Sequence, residues 1–303
     1  PTTVDVKVNG ETHTEPDTIT TCVPQTDITA WRQAMRPNTR LLFAETPTNP
    51  LTEVCDIAAL ADIAHGAGAW LAVDNCFATP ALQRPIELGA DIIMHSGTKF
   101  LDGQGRVMAG ALCASRAMVQ ERFLPVQKNA GMVLSPFNAW VVLKGLETLD
   151  LRARRQSENA LVVGKFMESR VPKILHPGLP SHPQYELARK QMSACGPIFS
   201  FILDGGREQA HALLNALELI DISNNIGDSR SLLTHPASTT HHGVGPEVRE
   251  DMGVVEGMLR INVGLEDPQD LIDDLDANFA ERFEVPNRDG MRLVVDRDPV
   301  SLM

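Results

Sequence analysis

Arg40-Leu-Leu-Phe-Ala-Glu45 opens the stretch that decides the fold. It is a short apolar run ending on a carboxylate. It reads as a buried strand, with a proline-rich turn, Thr46 to Pro50, behind it. Val54 to His65 then sets Val54, Ile57, Ala58, Leu60, Ala61, Ile63 and Ala64 at helical spacing, and Gly66 and Gly68 end the helix. Trp70-Leu-Ala-Val-Asp74 is the next strand, Ala81 to Leu88 a short helix, and Asp91-Ile-Ile-Met-His95 a third strand. Strand, helix, strand, helix, strand at this spacing predicts a parallel sheet with crossover helices. In such sheets ligands sit beyond the carboxyl ends of the strands, where the loops converge. The polar residues of interest are therefore Glu45 to Asn49, then Asp74 and Asn75, then Ser96 to Lys99.

Working outward, a helical stretch runs from Pro136 past Leu149 and through Arg152 to Glu168, and it is suited to connect two domains. Pro172 to Pro183 reads as a loop. Ile198 to Leu203 and Met258 to Val263 are strand-like and flank a helix, Glu208 to Leu219. Asp267 to Phe279 is a last amphipathic helix with proline near its start. At the other end Val4 to Val8 alternates like a strand, and Asn9-Gly10 reads as a hairpin turn. The division expected is a separate segment 1–20, a large domain 21–148 with a mostly parallel sheet, a smaller C-terminal α/β domain 149–281, and a tail 282–303.

The whole chain has 303 residues, 43% hydrophobic and 22% charged, which is globular composition rather than disordered. A net charge of -12 argues against a nucleic-acid or anionic-lipid partner. No apolar run approaches the roughly 18 residues of a membrane span, so no membrane partner is expected. Cys22, Cys55, Cys76, Cys113 and Cys195 are far apart, with no C-x-x-C pair. That pattern disfavours a disulfide framework or a zinc knuckle and fits a reducing, cytoplasmic compartment. Cys113, within the apolar run Val107 to Ala114, reads as a small buried hydrophobe. The chain holds a single tyrosine, Tyr185.

Lys99 follows a strand in His95-Ser-Gly-Thr-Lys-Phe100. A partly desolvated lysine loses amine basicity and becomes a nucleophile or Schiff-base former. Ser96 and Thr98 beside it have the chemistry to accept a phosphate. Alone, Lys99 is more simply read as snorkelling to solvent from a strand end. Asp74 could cap a helix or pair with a cationic ligand, and no second acidic or histidine ligand lies near enough in sequence to suggest a metal. Together, one strand-helix-strand step apart, an amine, a phosphate cradle and a carboxylate form the minimum set for holding pyridoxal phosphate. His241-His242 lies in a glycine-rich segment and reads as a loop rather than a metal pair. Asp102-Gly-Gln-Gly-Arg106 reads as the loop after the lysine strand rather than a phosphate loop.

The segments Glu45-Thr-Pro-Thr-Asn-Pro50, Val73-Asp-Asn-Cys-Phe-Ala-Thr-Pro80 and His95-Ser-Gly-Thr-Lys-Phe100 resemble the Cys/Met-metabolism family of pyridoxal-phosphate (PLP) enzymes. The resemblance continues through Ser223-Asn-Asn-Ile-Gly-Asp228, Leu232-Leu-Thr-His-Pro-Ala-Ser238 and Leu259-Arg-Ile-Asn-Val-Gly-Leu-Glu-Asp267, covering about residues 20–281. It implies an α/β fold of the aspartate-aminotransferase-like type I. It also implies Lys99 as the Schiff-base lysine and proton carrier, Asp74 on the pyridinium nitrogen, and Ser96 and Thr98 on the phosphate. Asn49 would hydrogen-bond the cofactor's phenolic oxygen, and Arg260 would grip the substrate α-carboxylate with its planar fork. Asn225 is a further substrate-pocket candidate. Read without the family, Asn49 could simply stabilise its turn and Arg260 could form a surface ion pair.

Asp221 to Asp228 looks most like the O-succinylhomoserine sulfhydrylases of the family. The activity this implies is γ-replacement on an O-acylhomoserine by sulfide, giving homocysteine for methionine biosynthesis. Cystathionine γ-synthase or γ-lyase activity in trans-sulfuration is the near alternative. The resemblance implies a small amino-acid substrate and a homotetramer. Family members carry an N-terminal section with a tyrosine and an arginine reaching the neighbouring subunit's phosphate and a tyrosine stacked on the ring. Pro1 to Thr20 resembles none of it, and Tyr185 lies in the second half. A truncated, catalytically inactive family fragment is thus a further expectation of another class.

Overall fold

Leu42 and Ala44, with Leu71 and Val73 on the next strand, turn toward a helix at Ile57–Gly66 and bury Ile57, Leu60, Ala61 and Ala64 beneath it. This strand-helix-strand core organises the first half of the protein. The computed structural model describes residues 3–8, 11–16 and 20–282. Strands are β1 Thr3–Val8, β2 Glu11–Pro16, β3 Leu41–Glu45, β4 Trp70–Asp74, β5 Ile92–Ser96 and β6 Gly110–Ala114 in the first half. The second half holds β7 Lys173–Leu175, β8 Ile198–Ile202, β9 Asp221–Ile222, β10 Leu232–Thr234 and β11 Met258–Asn262.

The first sheet runs β3-β4-β5-β6. Strands β3, β4 and β5 are parallel, as their spacing predicts, and β6 joins antiparallel. Helix Ile57–Gly66 begins later than Val54 because the Asp56 side chain accepts the Ala59 N–H at 3.0 Å and caps it there. The expected helix Ala81–Leu88 is instead two short turns, Thr79–Leu82 and Pro85–Leu88; Pro85 cannot continue the first. Among the described residues the face of the sheet opposite that helix is largely open, although Ala72 on it is buried. Leu41, Phe43 and Leu112 are about half exposed. Arg40 to Glu45 is therefore half-buried rather than buried, and Cys113, on the uncovered edge strand β6, is exposed rather than a core residue.

The stretch Pro136 to Glu168 divides into helices Pro136–Leu146 and Leu149–Glu168. The longer one packs Ala160, Val163 and Met167 against the second sheet, β7-β8-β11-β10-β9. Strand pairs in this sheet are antiparallel except β9 with β10. Central strands β8 and β11 are buried along nearly their whole length, with Phe199, Phe201, Leu259 and Ile261 in the core. Helices Gly206–Leu214 and Pro268–Arg282 close that core with Leu213, Leu271 and Leu275. Strand β7 lies within the segment 172–183 that reads as loop in the sequence. Strand β1 pairs with β2, in line with the alternation Val4 to Val8. The Asn9-Gly10 turn and the tail after Arg282 lie outside the described residues. Among the described residues no helix is long and apolar enough to cross a membrane.

Candidate active site

The parallel register sets Glu45 beside Asp74 at the carboxyl ends of β3 and β4, with Ser96 ending β5 alongside. A tight helical turn, Gly97–Leu101, follows directly and carries Lys99. Gly97 is needed there, since a Cβ would lie 2.6 Å from the Ala109 Cβ. The Thr98 hydroxyl accepts the Ala109 N–H at 3.0 Å and donates to the Ala109 carbonyl at 3.3 Å, clamping the turn to the lead-in of β6.

The second sheet supplies the other wall. The loop before β10 crosses the lysine turn at Gly227, whose φ is +79° and whose missing Cβ would lie 2.4 Å from the Phe100 nitrogen. This approach brings Asn225 to Lys99, whose Nζ donates to Asn225 Oδ1 at 2.6 Å. On β11, Arg260 is 2% exposed. Its guanidinium donates to Asn49 Oδ1 at 2.8 Å and to the Asn224 carbonyl at 2.9 Å, while its buried Nε has no partner. Arg260 is not a surface ion pair, and Asn49 serves more than its own turn. The turn carrying Asn49, with cis peptides before Pro47 and Pro50, is tied to the second sheet. Ser200 on β8 donates to the Pro50 carbonyl at 2.7 Å, and Thr52 donates to the Leu175 carbonyl at 2.8 Å.

Asp74 accepts the Cys76 N–H at 2.9 Å, and the Cys76 sulfur accepts the Ser96 N–H at 2.8 Å. Burial, reinforced by the nearby Asp74 carboxylate, pushes the Cys76 thiol up and keeps it protonated. His95, buried behind Asp74, has its imidazole pushed down by burial against the pull of Asp74. Asn75 and Gln83 form a buried lock beneath the site: Gln83 donates to the Thr46 carbonyl at 3.0 Å and to Asn75 Oδ1 at 2.8 Å.

Four charges share the crevice. Burial lowers the Lys99 amine, and the positive Arg260 lowers it further. Burial lowers Arg260 to about 10, with Glu45 opposing. Burial raises Glu45 to about 7; the Asn49 N–H opposes that rise, the Asp74 charge adds to it and Arg260 opposes it. The amine is thus less basic than a free lysine, and a buried guanidinium stands without a carboxylate in ion-pair contact among the described residues. Burying an uncompensated cation is costly, and an anionic ligand relieves the cost.

Hydrogen bonds and mutual fields bring Asn49, Asp74, Lys99, Asn225 and Arg260 together here, while Ser96 and Thr98 stand beside Lys99 in the chain, with Thr98 bonded to Ala109. The Ser96 hydroxyl has no protein partner among the described residues and is open to a phosphate. Thr98 could donate to one only by giving up its long bond to Ala109. Sequence reasoning placed Glu45 among the strand-end polar residues without giving it a role, and it did not single out His95 or the linking role of Cys76. Glu45 was accessible as a strand-end carboxylate in line with Asp74, but the field that perturbs it comes from residues distant in sequence. His241 and His242 lie on a turn after β10, where the Thr240 hydroxyl pairs with His241 Nδ1 at 2.9 Å.

A family model described as Cys/Met metabolism PLP-dependent enzyme matches residues 10–280. The chain belongs to that family. An O-succinylhomoserine sulfhydrylase of Pseudomonas aeruginosa is 48% identical over 259 residues, 85% of this chain and 63% of that protein. One of Mycobacterium tuberculosis is 45% identical over 256 residues, 82% of this chain and 63% of the relative. An L-methionine gamma-lyase of Treponema denticola is 43% identical, covering 80% of this chain and 62% of its own length. The chain thus spans somewhat less than two thirds of these relatives. The crystal structure of metB from Corynebacterium glutamicum superposes with a TM-score of 0.82 at 36% identity, over 86% of this chain and 68% of that one. The fold is that of the type I PLP enzymes, and the family's cofactor is PLP.

Proposed function

We propose that this Cys/Met-metabolism chain carries the PLP site of an enzyme that performs γ-replacement. The donor is O-succinylhomoserine, or another O-acylhomoserine, and sulfide displaces the acyl group to give homocysteine. The observation that carries the reading is Arg260, a buried fork without a carboxylate partner among the described residues, in the same crevice as an amine of lowered basicity. That pairing suits an α-amino acid, whose carboxylate and α-carbon need a cation and a base respectively. The two relatives named O-succinylhomoserine sulfhydrylase support the choice of donor and nucleophile.

The residues present fit the cofactor. Lys99 would anchor it, Asp74 would hold its pyridine nitrogen, and Ser96, with Thr98, would hold its phosphate. Asn49, whose Nδ2 has no partner among the described residues, would meet its phenolic oxygen. Bound PLP supplies an electron sink for carbanions formed on the substrate. Lys99 Nζ, its basicity lowered by burial and by Arg260, would take protons from substrate carbons and return them. Asn225 aims Lys99 Nζ by accepting one of its hydrogens. Arg260 orients the substrate by its carboxylate, and Asn49 and the Asn224 carbonyl keep that fork in one plane.

The likeness to L-methionine gamma-lyases favours a second reading, γ-elimination on related sulfur amino acids. We further take residues 21–148 and 149–281 as the two domains that meet at the crevice. Assembly as a homotetramer belongs to the same reading and is supported by the apolar groups left open on the first sheet. A cytoplasmic setting is supported by five unpaired cysteines. Two experiments test the function. After incubation with PLP and borohydride reduction, mass spectrometry should find a pyridoxyl label on Lys99. With O-succinylhomoserine and sulfide the product should be homocysteine; cystathionine formed from cysteine, with no turnover of sulfide, would sink the choice of nucleophile.

A further inference from the structure

Glu45 occupies a position that the reaction above leaves without a task. It ends β3 beside Asp74, and its Oε2 accepts the Asn49 N–H at 3.2 Å. Its backbone is pinned in turn, since Glu45 N donates to Gln25 Oε1 at 3.2 Å. The titratable groups facing it are Asp74 and Cys76 from β4 and the turn after it, and Arg260 from β11. Arg260 is itself faced by Glu45, by Lys99 and by His241 from the turn after β10. If Asp74 is committed to the cofactor nitrogen, Glu45 is the remaining acid within the field of the buried guanidinium. It approaches Arg260 without closing an ion pair, while Asn49 touches both, with its N–H on Glu45 and its Oδ1 on Arg260.

We propose that Glu45 is a positioning residue that sets how freely Arg260 receives a carboxylate: protonated, it leaves the guanidinium to an anionic ligand, and ionised, it competes with that ligand. The inference rests on the reading of Arg260 as the carboxylate grip. Two carboxylates and one buried guanidinium cannot all be charged as cheaply as one carboxylate and the guanidinium, because the second negative charge meets Glu45 in a desolvated crevice. Ligand binding and Glu45 protonation are therefore linked, and linkage is reciprocal. A carboxylate bound at Arg260 must raise the pH at which Glu45 loses its proton, by the same factor that ionised Glu45 weakens the ligand.

Hexanoate is a suitable probe, since it stays charged from pH 6 to 8 and has no amine to react. Its dissociation constant for the chain, measured by calorimetry, should rise about tenfold between pH 6 and 8. That is the fall in protonated fraction of a carboxyl titrating at about 7. In Glu45→Gln the tenfold rise should be lost, and what slope is left belongs to Lys99 and His241, the other titratable groups facing Arg260. Carbon-13 NMR of the Glu45 carboxyl in the unsubstituted protein should show a midpoint near 7 that moves up when hexanoate is added. This measurement does not depend on the variant folding. A midpoint near the ordinary 4.5, or one that hexanoate leaves in place, overturns the proposal. Arg260→Gln separates the two ideas. If it abolishes hexanoate binding while the unsubstituted protein binds equally at pH 6 and 8, the Arg260 reading stands and the Glu45 proposal fails. If Arg260→Gln binds hexanoate undiminished, the Arg260 reading fails and the proposal fails with it.

Discussion

Replacing Gly227 by alanine should open the site while leaving the rest of the fold standing. The added Cβ would lie 2.4 Å from the Phe100 nitrogen, 2.6 Å from the Lys99 carbonyl carbon and 3.0 Å from the Lys99 Cα. All three are backbone atoms of the lysine turn, so nothing can swing aside. The loop must back away by about 1 Å to reach ordinary contact distance, which begins near 3.4 Å. Alanine at φ +79° costs about 1–2 kcal/mol on its own, and overpacking adds about 1–3 kcal/mol. Gly68 provides the control, since its φ is +68° and nothing lies within 4 Å of its missing Cβ. Gly68→Ala should therefore show the conformational cost alone, and urea unfolding of the two variants should differ by the packing part. The same displacement carries Asn225 away from Lys99 and breaks a 2.6 Å hydrogen bond. Misplacement by 1 Å can cost about 100-fold in rate, so labelling of Lys99 by PLP and borohydride should slow sharply in Gly227→Ala and not in Gly68→Ala. Equal stabilities in the two variants, with equal labelling rates, would refute the claim that loop contact at Gly227 aims the lysine.

Other consequences can be read in unfolding experiments. Ser200→Ala strands the buried Pro50 carbonyl and should cost about 1–3 kcal/mol; a loss in Arg260-dependent hexanoate affinity should accompany it, because the Asn49 turn loosens. Arg152→Met removes donors to the Phe100 and Gly145 carbonyls at 2.9 and 2.8 Å, and should destabilise by about 3 kcal/mol; a change under about 1 kcal/mol would show that water replaces those bonds. Burial lowers His176 from 6.5 to about 4, the folded protein thus binding its proton less readily than the unfolded chain does. Its contribution is full above pH 6.5 and is lost as pH falls toward 4, by about 3 kcal/mol. In His176→Asn, stability should therefore fall less steeply over that interval, and an unchanged slope would assign the acid sensitivity to another group.

Local pattern carried the first sheet. Three strands, the helix Ile57–Gly66 and the glycines that end it follow from residue periodicity, because each depends on neighbours within a few positions. What sequence could not convey was coverage. Leu41 and Phe43 have the composition of a buried strand yet face outward, since burial depends on what packs over them. The second sheet was half legible for a related reason. β9 and β10 are two and three residues long, too short for any period, and they exist because β11 offers β10 an edge and β10 offers one to β9.

The site divides along the same line. Strand-end chemistry was readable because topology sends Asp74, Ser96 and Lys99 to one edge of one sheet. The contacts that give those groups their properties span the chain: Lys99 to Asn225 across 126 positions, and Arg260 to Asn49 across 211. Those contacts have a physical consequence for how the site can fail. The amine sits on the first sheet and Arg260 on the second, so under the proposed function neither sheet alone would hold an amino acid. Near the site the bonds that join them include Ser200 to Pro50, Thr52 to Leu175 and Lys99 to Asn225, together with the Arg260 fork on Asn49. Each is a single hydrogen bond worth about 1–3 kcal/mol, a small share of the stability of either core. A substitution at any of them should therefore reduce ligand affinity well before it reduces folding, whereas substitutions at Phe199 or Leu71 should do the reverse.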